Sequence, residues 1–435
     1  MITSKPWKVM HLELSEGIST LPLAPGYSGL YVVFWWEGIP LGHRNILAAQ
    51  LPMPATQLAN LALQAIAPAV SNHLLGECFQ APLRELPTHR QENVLPKFYA
   101  LVALGQPLAK LEQRLSQRKP ERELVSVVVC TRERPESLAR CLRSLQSLSR
   151  PPHEILVVDN APTSNATQQV VSQMPGIRYV LEPRPGLGRA RNTGIRCSTG
   201  NIIAFTDDDV EVHPDWLTRL QQHFDDPKLM VVTGLVLPAE LETEAQLIFE
   251  KDLGYLNKGY RTKTFDSQFF EQTKNVGVPV WGVGAGANMA MRREVFDLVG
   301  DFDERLGAGA AGCSEDSELW YRVLAEGWNC RYEPTSVVYH YHRSDLDGLR
   351  KQMYQYFRGY VAALLFQFAR YRHWGNLRRL FWSLPTYYAG LLTIGLLRGF
   401  GPRYKTYLAE ISGCLAGIKF YLQNRDSGKG LQKHT

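Results

Sequence analysis

From residue 124 onward the chain alternates short unbroken apolar runs with stretches of helical periodicity, the pattern of a parallel sheet buried by crossover helices. Runs at 124–130, 154–159, 177–181 and 201–206 are predicted strands. Between the first two, Pro135 suits a first helical position, and Leu138, Cys141, Leu142, Leu145 and Leu148 make one apolar stripe, which predicts a β-α-β unit. Upstream, the apolar run Gly29–Trp36 meets the turn pair Glu37-Gly38 and resumes at Ile39, as in a hairpin. Residues 55–75 carry Leu58, Leu61, Leu63, Ile66 and Val70 at helical spacing, with Pro68 expected to kink or split the helix. The polar stretch 106–123 reads as a connecting helix or linker, with a boundary near 120. From Leu349 the chain turns helical and aromatic, and breaks near Gly375 and at Gly401-Pro402 predict three helices. The expected organisation is an N-terminal module of hairpin and helix (1–120), an α/β domain with a mostly parallel sheet (121–345) and a helical region (346–435).

The 435 residues are 45% hydrophobic and 21% charged, which fits globular protein and excludes disordered, collagenous and disulfide-scaffold classes. A net charge of +6 is too small to argue for nucleic acid. Its distribution says more: from Arg343 onward there are 15 Lys and Arg against 4 Asp and Glu, so the basic surplus belongs to the tail. Seven cysteines without a CxxC pair suit a reducing compartment, and the N-terminus shows no apolar stretch of signal-peptide length, so a cytoplasmic protein is expected. The uncharged run 380–397 has basic flanks on both sides and reads as an interfacial helix more than a span. Such a tail could lie peripherally on the anionic cytoplasmic leaflet, although a helical bundle packed on the α/β domain explains it nearly as well.

Chemistry concentrates at strand ends. Asp207, Asp208 and Asp209 follow the strand at 201–206, where open α/β sheets bind ligands. Three adjacent carboxylates suit a hard divalent cation bridging to phosphates, and equally a solvated acidic turn before Pro214. Asp159 ends another strand and could accept hydrogen bonds from a ribose or base, or simply begin a loop. The run 184–192, Arg-Pro-Gly-Leu-Gly-Arg-Ala-Arg-Asn, opens a predicted helix and suits phosphate oxygens or a solvated basic face. Ser314-Glu315-Asp316-Ser317-Glu318 opens another: helix capping accounts for it alone, and a general base is the functional reading. His340 and His342 share a strand face and could reach a metal, though a strand histidine is more often structural. The small-residue loop 307–312 is expected to be mobile.

The order of these parts is more specific than any one of them. VSVVVCTRERPESLARCLRSLQSL from Val125, then EILVVDN, GLGRARNTGI, IIAFTDDDVEVHPDWL, GAGANMAMRRE, VGDFDERL and SEDSELWYRVLAEGW together resemble the family 2 glycosyltransferases of the GT-A fold, over about 220 residues. The resemblance implies an inverting, metal-dependent transfer of sugar from a nucleoside diphosphate to a hydroxyl of a glycan, lipid-linked or other acceptor. It implies that Thr131, Arg132, Arg134, Asp159 and Arg191 line the nucleotide-sugar pocket with Asp207 and Asp208. It places Asp207 and Asp209 at the outer positions of a DxD motif holding Mn²⁺ or Mg²⁺, with His340 or His342 completing the site. Asp316 matches the catalytic base and Glu315 its neighbour.

Processive synthases of the family carry QxxRW, whereas here Gln355-Tyr356-Phe357-Arg358 is followed by Gly359, so single-sugar transfer is expected. Two other classes compete. A sugar nucleotidyltransferase would want a glycine-rich phosphate loop after the first strand, where Thr131-Arg132-Glu133-Arg134-Pro135 stands instead. A non-catalytic scaffold would not need the acidic positions that are present. The loop-rich segment 240–279 is expected to face the acceptor.

Overall fold

The computed structural model of the protein describes residues 6–78, 108 and 123–426. The stretch 106–123 falls almost wholly outside them, and the boundary near 120 with it. The N-terminal strands β1 (Trp7–Glu13), β2 (Gly29–Trp36) and β3 (Ile39–Leu47) form a three-stranded sheet in the order β1-β2-β3. The expected hairpin is present: β2 and β3 pair antiparallel, and Glu37 and Gly38 turn with φ of 47° and 70°. Helix α1 (Ala55–Cys78) runs through Pro68 as one element, so of the expected kink or split the split does not occur. Leu58, Ala62, Leu63 and Ile66 share a core with Leu30, Val32 and Phe34 of β2, and burial of that face outweighs the proline's missing N–H.

The two-residue period of β2 decides where this sheet goes. Tyr31, Val33 and Trp35 point to its other face and join the main core of the α/β region, beside Leu235, Leu237 and Leu241. Both faces are covered, which is why β2 reads as an almost continuous apolar run.

Among the described residues the large sheet has nine strands. They are β4 (Val125–Thr131), β5 (Glu154–Asn160), β6 (Ile177–Glu182), β7 (Ile202–Asp207), β8 (Val210–Val212), β9 (Leu229–Pro238), β10 (Lys263–Phe265), β11 (Asn288–Arg292) and β12 (Asn329–His340). The order is β10-β12-β9-β11-β7-β4-β5-β6, with β8 also pairing with β12. β7, β4, β5 and β6 are mutually parallel, as are β9 and β12, whereas β11 runs antiparallel between β7 and β9. Helix α2 (Pro135–Gln146) buries the stripe of Leu138, Cys141, Leu142 and Leu145 against one face of the sheet. Helices α3 (Leu187–Cys197) and α4 (Glu315–Ala325) lie at the other face, with Ile195, Leu319 and Val323 in the main core.

Three C-terminal helical elements follow at the expected breaks: α5 (Leu346–Tyr371), α6 (Leu384–Arg398) and α7 (Tyr407–Asn424). α6 continues the turns that precede it, so 375–398 is one helical rod. α5 lies close on the loop before α4, and Gly359 is the reason it can: a Cβ there would stand 2.4 Å from the Cys313 carbonyl oxygen. The glycine that replaces tryptophan in QxxRW is therefore required by packing. Within loop 307–312, Gly312 N–H donates to Gly307 O at 2.8 Å and Ala311 N–H to Arg305 O at 3.0 Å.

Candidate active site

A cleft of about 930 Å³ opens at the carboxyl ends of β4 and β7. Thr131, Arg132, Arg134, Asn160 and Asp207–Asp209 line one side, Gly286 and Glu315–Ser317 the floor, and α5 and α6 the far wall through Gln355, Tyr360, Leu384 and Tyr387.

The three consecutive aspartates do different things because the chain turns sharply at the end of β7. Asp208 faces inward, accepting from the Thr131 hydroxyl at 2.8 Å and from Arg134 at 3.0 Å. Burial and the neighbouring Asp209 push its carboxyl up to about 6, against the pull of Arg134. Asp209 is held below its ordinary value: burial would raise it, but His340, Arg134 and Arg343 together outweigh that. Asp207 is the most open of the three, its side chain 31% exposed against 6% and 10% for Asp208 and Asp209. Burial nevertheless raises its carboxyl, with Arg191 opposing.

Strand pairing brings His340 to this turn. β8 pairs antiparallel with β12 so that Val210 stands opposite His340, and His340 Nε2 lies 3.4 Å from Asp209 Oδ1. Burial pushes the His340 imidazole down to about 4, so at neutral pH it is an uncharged nitrogen donor. Among the described residues no group of three or more His, Cys, Asp and Glu is gathered as a closed metal site. A carboxylate, a neutral imidazole and an open side toward the cleft nevertheless suit a hard cation that completes its shell with phosphate oxygens and water. His342 is not part of that set, since its ring turns from the cleft to His340 Nδ1 at 2.9 Å and Glu250 at 3.3 Å.

Asp316 and Glu315 are equally divided. Asp316 faces the cleft, and its two oxygens accept from the backbone N–H of Gly286 at 2.8 Å and of Ser317 at 2.6 Å. Capping, which explained this segment from sequence, does not hold: Ser314 takes φ of 74° and its side chain makes no cap hydrogen bond. Glu315 lies beneath, 2.8 Å from Arg191, and burial lifts its carboxyl to about 7 despite that guanidinium. Arg191 is 2% exposed and also reaches Asp207 at 3.4 Å and the Gly286 carbonyl at 3.3 Å. It lines the cleft as expected and ties the two acidic groups together.

The rest of the 184–192 run is equally occupied, Arg184 by Glu182 at 3.0 Å and Arg189 by Glu304 at 3.1 Å, and neither lines the cleft. Asp159 differs from its expected place as well. By strand alternation Asn160 reaches the cleft, while Asp159 is buried on the opposite face and accepts from the Tyr179 hydroxyl at 3.0 Å.

Sequence reasoning named the acids but missed the groups that hold them. Gly286 stood inside a quoted motif with nothing to mark its N–H as the partner of Asp316. A Cβ there would sit 2.8 Å from both Asp316 Oδ2 and Arg191 Nη2. The segment 240–279 does reach the cleft, through Tyr255, Leu256 and Lys258, and burial brings the Lys258 amine down to about 8 against the pull of Asp316.

Residues 126–300 match the family described as glycosyl transferase family 2. A pre-mycofactocin glycosyltransferase of Mycobacterium tuberculosis is 28% identical over 228 residues, covering 52% of this chain and 44% of that protein. The chain thus spans less than half the length of this mycobacterial relative. Glycosyltransferase AglE of Haloferax volcanii is 25% identical over 292 residues, covering 66% of this chain and 84% of that protein. A solved mannosyltransferase of Pyrobaculum calidifontis, in complex with GDP-Man and Mn²⁺, aligns with a TM-score of 0.47 at 18% identity, over 75% of this chain and 98% of that one.

Proposed function

We propose that the protein, whose residues 126–300 match glycosyl transferase family 2, moves one sugar from a nucleoside-diphosphate sugar to an acceptor hydroxyl, with inversion and with help from Mn²⁺ or Mg²⁺. The observation that supports this reading is the meeting of Asp209 and Asp316 in one cleft, linked beneath by Arg191 through Asp207 and Glu315. The family match sets aside the nucleotidyltransferase reading.

In this mechanism Asp316 accepts the proton of the acceptor hydroxyl, held in place by the Gly286 and Ser317 N–H groups. The freed oxygen lone pair forms the new bond at the anomeric carbon as the bond to the diphosphate breaks, and that electron pair leaves on the diphosphate. Arg134 and Arg343, 3.1 and 3.5 Å from Asp209, stand where its negative charge gathers. A divalent cation held by Asp209 and His340, with Asp207 beside them, would supply further positive charge at the same place. Arg191 positions both acids and excludes water from beneath them.

Release of nucleoside diphosphate from a panel of UDP, GDP and dTDP sugars, with Mn²⁺, Mg²⁺ or EDTA, tests the reading. Metal-dependent release from one donor supports it, and EDTA-insensitive release refutes the metal part. A single displacement turns an α-linked donor into a β-linked product carrying one added sugar. A product whose anomeric coupling constant retains the donor's configuration, or a long homopolymer, would count against inverting single transfer.

The acceptor reading is a lipid-linked glycan met at a membrane surface. Of the C-terminal helical elements, α6 buries only Tyr388 and Gly395 and leaves Leu397 79% exposed, and Trp382 in the turn before it is 66% exposed. Gly375–Arg398 is long and apolar enough to cross a membrane. Between residues 374 and 424 the single acidic residue is Glu410, and it is fully buried and paired with Arg403 at 2.6 Å. An apolar surface ringed by Arg378, Arg398 and Lys419 suits the interface of an anionic bilayer on the cytoplasmic side. Flotation with phosphatidylglycerol vesicles is expected to carry the protein up, and Trp382→Ser with Leu397→Ser to weaken binding about 100-fold. Equal binding of the double variant would remove this face from the reading.

A further inference from the structure

A buried chain of side chains runs from the candidate metal site to the N-terminal sheet, and its hydrogen-bond directions are not free. Asn257 Nδ2 donates to the Tyr31 hydroxyl at 3.4 Å, and that hydroxyl donates to Glu250 Oε1 at 3.0 Å. The other carboxylate oxygen, Oε2, is 3.3 Å from His342 Nε2, and an ionised carboxylate can only accept, so His342 carries its proton on Nε2. With that as the ring's single proton, its Nδ1 is an acceptor. The 2.9 Å contact between the two Nδ1 atoms therefore needs His340 to donate from Nδ1. With its ring proton placed there, His340 has a bare lone pair on Nε2, the nitrogen that faces Asp209. The side chains of His342 and Glu250 are 1% and 6% exposed, so little water can compete for these positions.

We infer that Glu250, acting through His342 and steadied by Tyr31, fixes the tautomer of His340 so that its Nε2 lone pair is presented beside Asp209 to a divalent cation. Glu250 and Tyr31 are positioning residues, and the inference rests on the metal reading proposed for Asp209 and His340. The N-terminal module thereby contributes to the site, because Tyr31 comes from the face of β2 that packs on the α/β core, with its ring stacked on His43 at 4.7 Å. Carboxylates and carbonyls that orient a metal-bound imidazole in this way commonly change metal affinity on removal.

The test uses the full chain and Mn²⁺ alone, followed by the free-ion electron paramagnetic resonance signal, with long-range proton–nitrogen NMR on histidine-labelled protein to read which ring nitrogen is protonated. Glu250→Leu is expected to raise the Mn²⁺ dissociation constant about 10- to 100-fold and to mix the His340 tautomers. Glu250→Gln, which keeps an acceptor in place, should recover most of the loss. Tyr31→Phe removes only the far end of the chain and should cost about 3-fold, which serves if the leucine variant folds poorly. Unchanged Mn²⁺ binding in Glu250→Leu, with His340→Ala impaired, overturns the inference. If the wild type binds no Mn²⁺, the metal reading fails, and the NMR decides the rest: a proton on His340 Nδ1 upholds the relay, and one on Nε2 overturns it.

Discussion

Asp209→Ala is expected to abolish metal-dependent turnover of the donor, lowering kcat/KM about 1,000-fold, because it deletes the one carboxylate of the three that is held below its ordinary value and lies beside His340. The same change leaves Arg134 and Arg343 without one of their acidic partners, so an anionic donor can still bind through them. Turnover and binding should therefore separate, with binding by calorimetry falling far less than kcat. Asp208→Asn is the comparison. Its amide oxygen can still accept from Arg134, while its N–H must donate to the Thr131 hydroxyl in place of accepting from it, so about a tenfold loss is expected. Steady-state release of nucleoside diphosphate with and without EDTA checks both. If Asp209→Ala retained EDTA-sensitive turnover, the cation would have to be held elsewhere. If the wild type ignored EDTA, the guanidinium groups would be the whole source of positive charge.

The sequence was informative wherever one residue's burial decides its neighbours. Continuous apolar runs reported strands covered on both faces, and four of them fall within a residue or two of β4, β5, β6 and β7. The glycine and proline breaks of the tail reported helix ends for the same local reason. What could not be read was the partner of each polar side chain. Arg184, Arg189 and Arg191 looked alike in a basic run, yet two make ion pairs outside the cleft and the third is buried in the cleft wall, paired with Asp207 and Glu315. Asp159 and Asn160 are adjacent in sequence and opposite in space. His340 and His342 share a period-two spacing, but the strand ends at His340, so only one of them faces Asp209. The contributions of Gly286 and Glu250 come from backbone and side-chain contacts 30 and 92 residues apart, for which local pattern carries no signal.

Asp316→Asn should give the clearest division between chemistry and binding. The amide keeps the size of the side chain and can still accept from Gly286 N–H, but it cannot take the acceptor's proton, so sugar transfer is expected to fall about 100- to 10,000-fold. Donor and Mn²⁺ binding should stay within about twofold, since neither oxygen of Asp316 is paired with Asp209 or His340. Glu315→Gln should behave differently. Glu315 is buried against Arg191, so this change weakens an ion pair that also orients Asp207, and its main cost is expected in stability and in KM. Thermal unfolding and full kinetics on both variants distinguish the roles. A large loss of kcat in Glu315→Gln with an unchanged melting temperature, alongside an active Asp316→Asn, would transfer the proton-accepting role to Glu315.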